Sequence, residues 1–377
     1  MRKVALDLGA KKTTYCEVAD GRVVQRTTVT QVESLKPLLG PEQPPATVAI
    51  EACREAWYVH DLLSSWGNQV LLVDTTRSKQ LGVGRHGRKT DRIDAEVLAR
   101  AVEEGRIPLA HLLTPERREL RKLLNVRRYL VEARAQAVTT ARGLARESGI
   151  KLANCDSANF ASHVRKRMTT EPQLQVVEPL LMTLDVLTEQ LANVEVELAR
   201  LLAAEPTIQK LCTVPGVGPI VAAVFVSVVD DAKRFHRAHQ LESYLGLVPG
   251  ENTTGGKRRI GAITKKGNPY LRSMLVQASW SLARTASADD PLRVWFEAIA
   301  ERRGKRIAVV ALARKLAGVL WALWRKDTVY DPQSHGQRSA RGLRSHAEQI
   351  QFQADALAQA ARKRLRSKTK REAAQPN

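Results

Sequence analysis

The sequence predicts a mixed α/β domain at the N-terminus and a mainly helical structure in the rest of the chain. Up to Asp74, short stretches that alternate between apolar and polar residues are separated by turn signals. From Pro115 onward, apolar residues recur instead at helical spacing. The chain has 377 residues and is 44% hydrophobic, a composition that suits a folded protein of roughly two to three domains.

Three short strands open the chain. VALDLG, TTYCEVAD and RVVQRTTV each alternate, and an Asp20–Gly21 turn separates the second from the third. A Pro-rich loop at residues 41–45 is followed by a strand TVAIEA, a helix from Arg54 to Ser65 and a strand NQVLLVD. Three antiparallel strands followed by βα units are the sequence order of ribonuclease H-like folds, and the same order occurs in actin-like ATPase domains.

Two helices are predicted next. In TDRIDAEVLARAVEEG, Thr90 is an N-cap candidate and Gly105 a terminator. Pro115 opens a longer helix with nine basic residues between positions 117 and 146. This helix is a candidate for contacts with a nucleic-acid backbone, through residues such as Arg117, Arg121 and Arg128.

A leucine stripe follows, with alternating spacings of four and three residues that make three heptads. Its members are Leu180, Leu184, Leu187, Leu191, Val194, Leu198 and Leu201. The stripe is explained either by a helix packed inside one subunit or by a coiled coil between subunits. The narrow stripe and charged flanks favour the coiled coil, and hence a homo-oligomer.

The charge predicts a nucleic-acid partner. Lys and Arg number 60 against 39 Asp and Glu, a net charge of +21, which a polyphosphate partner would use directly.

None of the four cysteines lies within five residues of another, so neither a zinc CxxC pair nor a disulfide framework is expected. No export signal and no apolar run of the ~18 residues needed to span a membrane is found. We therefore expect a soluble, cytoplasmic protein.

Four carboxylates are candidate metal ligands. Asp7 and Glu51 end predicted strands, and Asp91 and Asp94 lie three apart on one helix, so an α/β core can bring them together. Such hard oxygen ligands suit Mg²⁺ or Mn²⁺, and two ions ~3.5 to 4 Å apart stabilise the attacking and leaving oxygens of phosphodiester exchange. Taken singly, Asp91 is also explained as a capping acid and Glu51 as a surface charge.

VPGVGP at residues 214–219 has the pattern of a helix-hairpin-helix turn. Gly216 and Gly218 allow a tight turn and leave backbone N–H groups free to face a phosphate. A purely structural turn is the alternative.

A basic, Gly-rich stretch combines two hydroxyls, Thr253 and Thr254, with Gly255–Gly256. Its basic residues are Lys257, Arg258, Arg259, Lys265 and Lys266. The hydroxyls are candidates either for attack on phosphorus or for hydrogen bonds to a substrate backbone, and the residues alone favour the second.

Together these motifs resemble the transposases of the bridge-RNA-guided insertion-sequence family, the IS110 group, in its subgroup with subterminal inverted repeats. The resemblance covers most of the chain, from the DEDD signature (VALDLG, AIEAC, RKTDRIDAEVLA) to VPGVGP and KKGNPYLRSML. It implies an RNA-guided DNA recombinase that acts on donor and target DNA as a dimer or tetramer in the bacterial cytoplasm, associated with the nucleoid when bound.

The resemblance also implies a domain division. A RuvC-like, ribonuclease H-type DEDD domain would cover residues 1–115, a basic helix and coiled-coil segment 116–206, and a mainly helical transposase domain 207–332. Residues 333–377 would form a basic tail, mostly disordered with one short helix, that adds non-specific nucleic-acid affinity.

One position departs from the family pattern. In the family, the second domain contributes a nucleophilic serine just before the glycines of the basic loop, and here that position is Thr254. Threonine carries the same hydroxyl, but its β-methyl crowds an in-line approach. Ser273 is a weaker substitute.

Three other functions fit parts of the sequence. A junction-resolving endonuclease would use the same carboxylates with water as the nucleophile. An actin-like ATPase would need a second glycine-rich phosphate loop, which the sequence lacks. A nucleic-acid scaffold without catalysis would have no use for the carboxylates.

Overall fold

The structure is a computed structural model that describes residues 1–19, 21–82, 90–168, 171–251 and 259–333. The chain divides into two compact units, Met1–Leu113 and a second that begins at Thr114. The predicted tail lies outside the described residues from position 334 onward. The further division of the second unit at residues 206 and 207 remains a prediction.

The first unit is built on a five-stranded sheet in the order β3-β2-β1-β4-β5. Its strands are β1 (Arg2–Leu8), β2 (Lys12–Ala19), β3 (Arg22–Val29), β4 (Ala46–Glu51) and β5 (Gln69–Val73). The first three form the predicted antiparallel meander, while β1, β4 and β5 run parallel to one another. The predicted mixed α/β class is therefore confirmed.

Helices cover both faces of this sheet. They are α1 (Val32–Leu39), α2 (Ala56–Ser65), α3 (Thr75–Ser78) and α4 (Asp91–Glu103). Because side chains alternate along a strand, Leu6 and Ile50 pack in one apolar cluster with residues of α1 and α2, and Ala5 and Ala49 pack in another with Leu98 of α4. Each face of β1 and β4 therefore packs against helices in an apolar cluster.

The second unit is mainly helical. Its helices are α5 (Pro115–Glu147), α6 (Phe160–Arg167), α7 (Glu171–Ala203), α8 (Pro206–Leu211), α9 (Pro219–Val229), α10 (Ala238–Tyr244), α11 (Pro269–Thr285), α12 (Pro291–Arg303) and α13 (Lys305–Lys326). A two-stranded hairpin, β6 (Pro249–Glu251) and β7 (Ile260–Ile263), lies between α10 and α11.

The helices α5 and α7 pack against each other in antiparallel fashion along their length. Of the leucine stripe, Leu184, Leu191 and Leu198 are buried, and this packing within one chain accounts for them. That is the intramolecular explanation of the stripe. An intermolecular coiled coil remains a prediction.

The core of the second unit extends beyond the helical hairpin. Leu120 of α5 and Leu198 of α7 belong to the same cluster as α9, α11 and α13. Among the described residues, one helix, α13, is long and apolar enough to cross a membrane by length and composition, but half of its apolar window is buried inside the chain. Leu312, Leu316 and Leu320 place it at the centre of this core.

Candidate active site

Asp7 and Glu51 lie at the carboxyl ends of neighbouring parallel strands. Leu6 of β1 is in register with Ile50 of β4. Asp7 and Glu51 are the next residues of these two strands, so they lie side by side on strands ~4.8 Å apart. The alternation that directs Ala5 and Ala49 towards α4 directs both carboxylates to that same face. The sequence prediction that strand ends bring these acids together therefore agrees with the sheet register.

The helix α4 covers this face and carries the other two acids. Asp94, in its first turn, is only 7% exposed, whereas Asp91 is exposed. Thr90 caps the helix as predicted, since its side-chain oxygen accepts a hydrogen bond of 3.4 Å from the Ile93 N–H. The positive end of the helix dipole favours carboxylates in this turn.

Glu51 carries an unusual buried oxygen. In the part of the chain that the structure describes, its Oε1 is buried and accepts no hydrogen bond. A buried carboxylate oxygen without a partner is costly, and a cation is the natural compensation. Hard oxygen donors at this point fit a divalent ion in kind.

The side chains as they stand do not form a complete ligand set. Within the described ranges, which include all four acids, no group of three or more His, Cys, Asp or Glu side chains is placed to hold a metal ion. Backbone register and helix position bring the acids to one face, but the four-carboxylate cluster itself remains a prediction.

Two further residues at the strand ends were not singled out from the sequence. Thr14 lies directly opposite Asp7 across β1 and β2 and is 4% exposed; the alternation in TTYCEV is the signal for its orientation. Asp74 follows β5, but it faces away from α4 because Val73 is the register partner of Glu51. Its carboxylate caps α3 instead, accepting hydrogen bonds from the N–H groups of Thr76 and Arg77 at 2.8 and 3.3 Å.

In the second unit, the two glycines of VPGVGP differ in their surroundings. Gly216 has φ +79°, and a Cβ there would lie 2.5 Å from the Ala278 carbonyl oxygen and 2.6 Å from the Leu282 nitrogen of α11. Gly218 is the N-cap of α9, and nothing lies within 4 Å of a Cβ built there. Gly216 is therefore required by packing, while the functional role predicted for both glycines remains a prediction.

The candidate nucleophile Thr254 lies outside the described residues, as do Lys257 and Arg258. The described cations of this stretch, Arg259, Lys265 and Lys266, are exposed. The hairpin of β6 and β7 pairs the two chain segments that flank the loop.

Arg272 of α11 fixes the base of this hairpin and was missed from the sequence. Its guanidinium donates hydrogen bonds to the carbonyls of Leu245, Lys266 and Gly267 at 3.1, 3.2 and 3.0 Å. A Cβ on Gly267 would lie 2.1 Å from the Tyr244 carbonyl oxygen, so the two segments cross in direct backbone contact. A lone arginine in KKGNPYLRSML carries no sequence signal for this role.

Some cations of the predicted basic helix α5 are paired with carboxylates of the same chain. Arg117 pairs with Glu205 at 2.6 Å, and Arg128 pairs with Glu132 at 2.7 Å. Burial lowers the pKa of the Arg121 guanidinium below its usual value. Ser273, the substitute hydroxyl, lines a small cavity of about 160 Å³ with Arg128.

Comparison with known proteins places the chain in a family. Residues 4–148 match the family model of the DEDD transposase of IS110, and residues 208–292 match that of the transposase IS116/IS110/IS902 family. A probable family 20 transposase of Pseudomonas aeruginosa is 32% identical over 77% of this chain and 87% of its own length.

Two further relatives are transposases of named insertion sequences. The transposase for IS1111A of Coxiella burnetii is 30% identical over 75% of this chain and 79% of its own length. The transposase for IS1328 of Yersinia enterocolitica is 28% identical over 87% of this chain and 98% of its own length. The chain is therefore a transposase and belongs to the IS116/IS110/IS902 family.

Proposed function

We propose that this transposase cuts and rejoins DNA strands with the carboxylates of Asp7, Glu51, Asp91 and Asp94 as ligands of divalent metal ions. DEDD transposase domains generally depend on such ions, and Mg²⁺, in two sites, is the proposed ion, with Mn²⁺ as a substitute. The observation that carries the proposal is the buried, unpartnered Oε1 of Glu51 beside the end of β1. When bound, the metal would supply Lewis-acid stabilisation of the phosphodiester oxygens.

The protein residues have distinct tasks in this proposal. Asp7 and Glu51 would bind metal from the sheet face that α4 covers, and Asp94, which is buried within the otherwise exposed first turn of α4, from the helix. Asp91 is exposed, so it would complete the ligand set from the solvent side. Removal of Asp91 should therefore reduce cleavage less than removal of any of the other three.

The proposed nucleophile is the hydroxyl of Thr254. Its oxygen would form a bond to phosphorus as the bond to the departing 3′ oxygen breaks, the hydroxyl proton passing to solvent and the 3′ oxygen taking up a proton. Support comes from the position of Thr254 between the paired strands β6 and β7, with Arg259 beside the loop.

Donor and target DNA, a structured guide RNA and further copies of the chain are the proposed partners. The net charge of +21 supports the nucleic acids. Self-association would need a surface other than the buried members of the leucine stripe. On α7, Met182, Val186 and Val196 are exposed by 61%, 56% and 72% and supply apolar contact area.

Cleavage of end-labelled DNA tests the carboxylates. Asp7→Asn, Glu51→Gln and Asp94→Asn should each abolish cleavage in Mg²⁺ or Mn²⁺ while DNA binding is retained. Asp74→Asn is the matched control, because it makes the same chemical change at a neighbouring strand end that faces away from α4. Cleavage near the wild-type rate in two of the three variants would refute the metal assignment.

Label retained on denatured protein tests the nucleophile. Thr254→Ser should preserve strand transfer and Thr254→Val should abolish it, with Ser273→Ala having a smaller effect. Peptide mapping should place the link at Thr254. Cleavage without any covalent link would instead identify water as the nucleophile, as in a junction-resolving endonuclease.

A further inference from the structure

The turn between α12 and α13 concentrates positive charge at the surface. The segment 301–306 reads ERRGKR, with a single acid, Glu301. Arg302, Arg303, Lys305 and Arg306 are all exposed. The chain reverses at Gly304, whose φ is +82°, so two cations end one helix and two begin the next.

These four cations have no carboxylate partner among the residues that the structure describes. Within the described ranges, the side-chain hydrogen bond that they make is one of 3.2 Å from Arg302 Nε to the Ala298 carbonyl of its own helix. Three cations of α5 differ, since Arg117, Lys122 and Arg127 each pair with a glutamate. A phosphate that approached one of these three would have to displace a glutamate, whereas the cations of the turn have no such competitor among the described residues.

Helix electrostatics explain only half of the charge at this turn. Arg302 and Arg303 lie in the last turn of α12, where the helix dipole favours positive charge. Lys305 and Arg306 lie in the first turn of α13, where the dipole disfavours it. Both helices are firmly packed, because Phe296 of α12 and Ala308 and Leu312 of α13 are buried. The fold therefore tolerates Lys305 and Arg306 at some cost in stability.

We infer that the four cations of the α12–α13 turn dock a nucleic-acid backbone. The inference rests on the proposed function, in that it names a surface by which the transposase holds nucleic acid. The chemistry recognised is a run of phosphodiesters, which either DNA or RNA supplies. It requires no base-specific contact.

The test uses the full-length chain and two variants with equal loss of charge. The turn variant is Arg302→Gln, Arg303→Gln, Lys305→Gln and Arg306→Gln. The control variant is Arg100→Gln, Arg106→Gln, Lys122→Gln and Arg200→Gln, four exposed cations that pair with glutamates of their own helices or turns. Circular dichroism and thermal unfolding establish that each variant is folded.

Binding of a random-sequence DNA duplex and of a folded RNA hairpin is measured by anisotropy over a range of salt. The turn variant should bind at least ~10-fold more weakly and lose about two to four from the slope of log K against log salt. The control should change by no more than about threefold. A larger loss on one of the two probes identifies that nucleic acid as the ligand, and equal losses show a shared backbone site.

Two results would overturn the inference. One is an equal loss of affinity in the turn and control variants, which would show that only the net charge matters. The other is no loss of affinity in the turn variant. A conservative variant with lysine at positions 302, 303 and 306 should restore binding and rules out a folding defect. The proposed function fails separately. If the wild-type chain binds a probe but does not cleave DNA in metal, the proposed metal and nucleophile roles fail and the inference about the turn does not. If it binds neither probe, the inference about the turn fails as well.

Discussion

Glu51 and Asp74 lie at the ends of neighbouring parallel strands but on opposite faces of the sheet, because Glu51 is in register with Val73. Among the described residues, the carboxylate of Glu51 has a buried oxygen without a hydrogen-bond partner, whereas the carboxylate of Asp74 caps a helix. Two carboxylates at the ends of neighbouring strands therefore differ in their surroundings, and only that of Asp74 has a local structural role on view.

We predict that Glu51→Gln stabilises the protein in the absence of divalent ions. The change replaces a carboxylate, one oxygen of which is buried and accepts no hydrogen bond from the described residues, with a neutral amide of the same shape, so the free energy of unfolding should rise by about 1 to 3 kcal/mol. In the wild type, Mg²⁺ or Mn²⁺ should raise the melting temperature, and in Glu51→Gln this rise should disappear. Asp74→Asn should change neither quantity, since asparagine caps helices as well as aspartate does. Urea unfolding without Mg²⁺ measures the free energy, and thermal unfolding with and without Mg²⁺ measures the melting temperature. A metal response that persists in Glu51→Gln would contradict the ligand role.

We predict unequal costs from alanine at Gly216 and Gly218 of the VPGVGP turn. Gly216→Ala should destabilise the second unit by more than ~1 kcal/mol, because the positive φ and the contact with the α11 backbone both oppose a Cβ. Gly218→Ala has room and should cost less than about 1 kcal/mol. Thermal unfolding measures both costs. Equal destabilisation by the two changes would show that contact with α11 is not what requires glycine.

We predict that Arg272→Met loosens the base of the β6–β7 hairpin. Three carbonyls would lose a charged donor, which should cost about 2 to 3 kcal/mol. Strand transfer should fall by a larger factor than DNA affinity, because the hairpin carries the proposed nucleophile loop. Arg272→Lys should restore stability in part, since one ammonium cannot satisfy three carbonyls in the geometry of a guanidinium. If DNA affinity and strand transfer fell by the same factor, Arg272 would support the fold in general and not the hairpin in particular.

We predict that Leu191→Ala destabilises the chain without changing its mass in solution. The side chain is only 3% exposed, so truncation should cost about 2 to 5 kcal/mol. Val196→Ala, at an exposed position on the same helix, is the control and should cost less than ~0.5 kcal/mol. Light scattering gives the mass and urea unfolding the stability. A smaller species with unchanged protomer stability would instead support the coiled coil between subunits.

The strands and long helices were predictable because their signals are local. Alternation identified β1, β2 and β3, and Thr90 and Gly105 marked the ends of α4, where Gly105 adopts φ +66°. The short helix α1 was not predicted, since Pro37 inside it reads as a helix breaker. The strands of the β6–β7 hairpin are three and four residues long and mostly exposed, so they leave no alternation to detect.

What the sequence could not supply is the choice of partner for each side chain. The stripe that contains Leu184 has the same spacing whether it packs on α5 or on another subunit. The nine basic residues of α5 gave no sign that Arg117 and Arg127 have glutamate partners far along the chain. Likewise, strand order and register, and not the identity of the residues, separate Glu51 from Asp74.

The shared core of α5, α7 and the C-terminal helices has a consequence for how such genes can recombine. A crossover at codon 206 or 207 would join Leu198 and Leu202 from one parent to Ile208 and Val224 from the other, across a single packed interior. A crossover between codons 113 and 114 would leave that interior within one parent. Natural or laboratory chimaeras of these transposases should therefore retain activity when everything from Thr114 onward is inherited together.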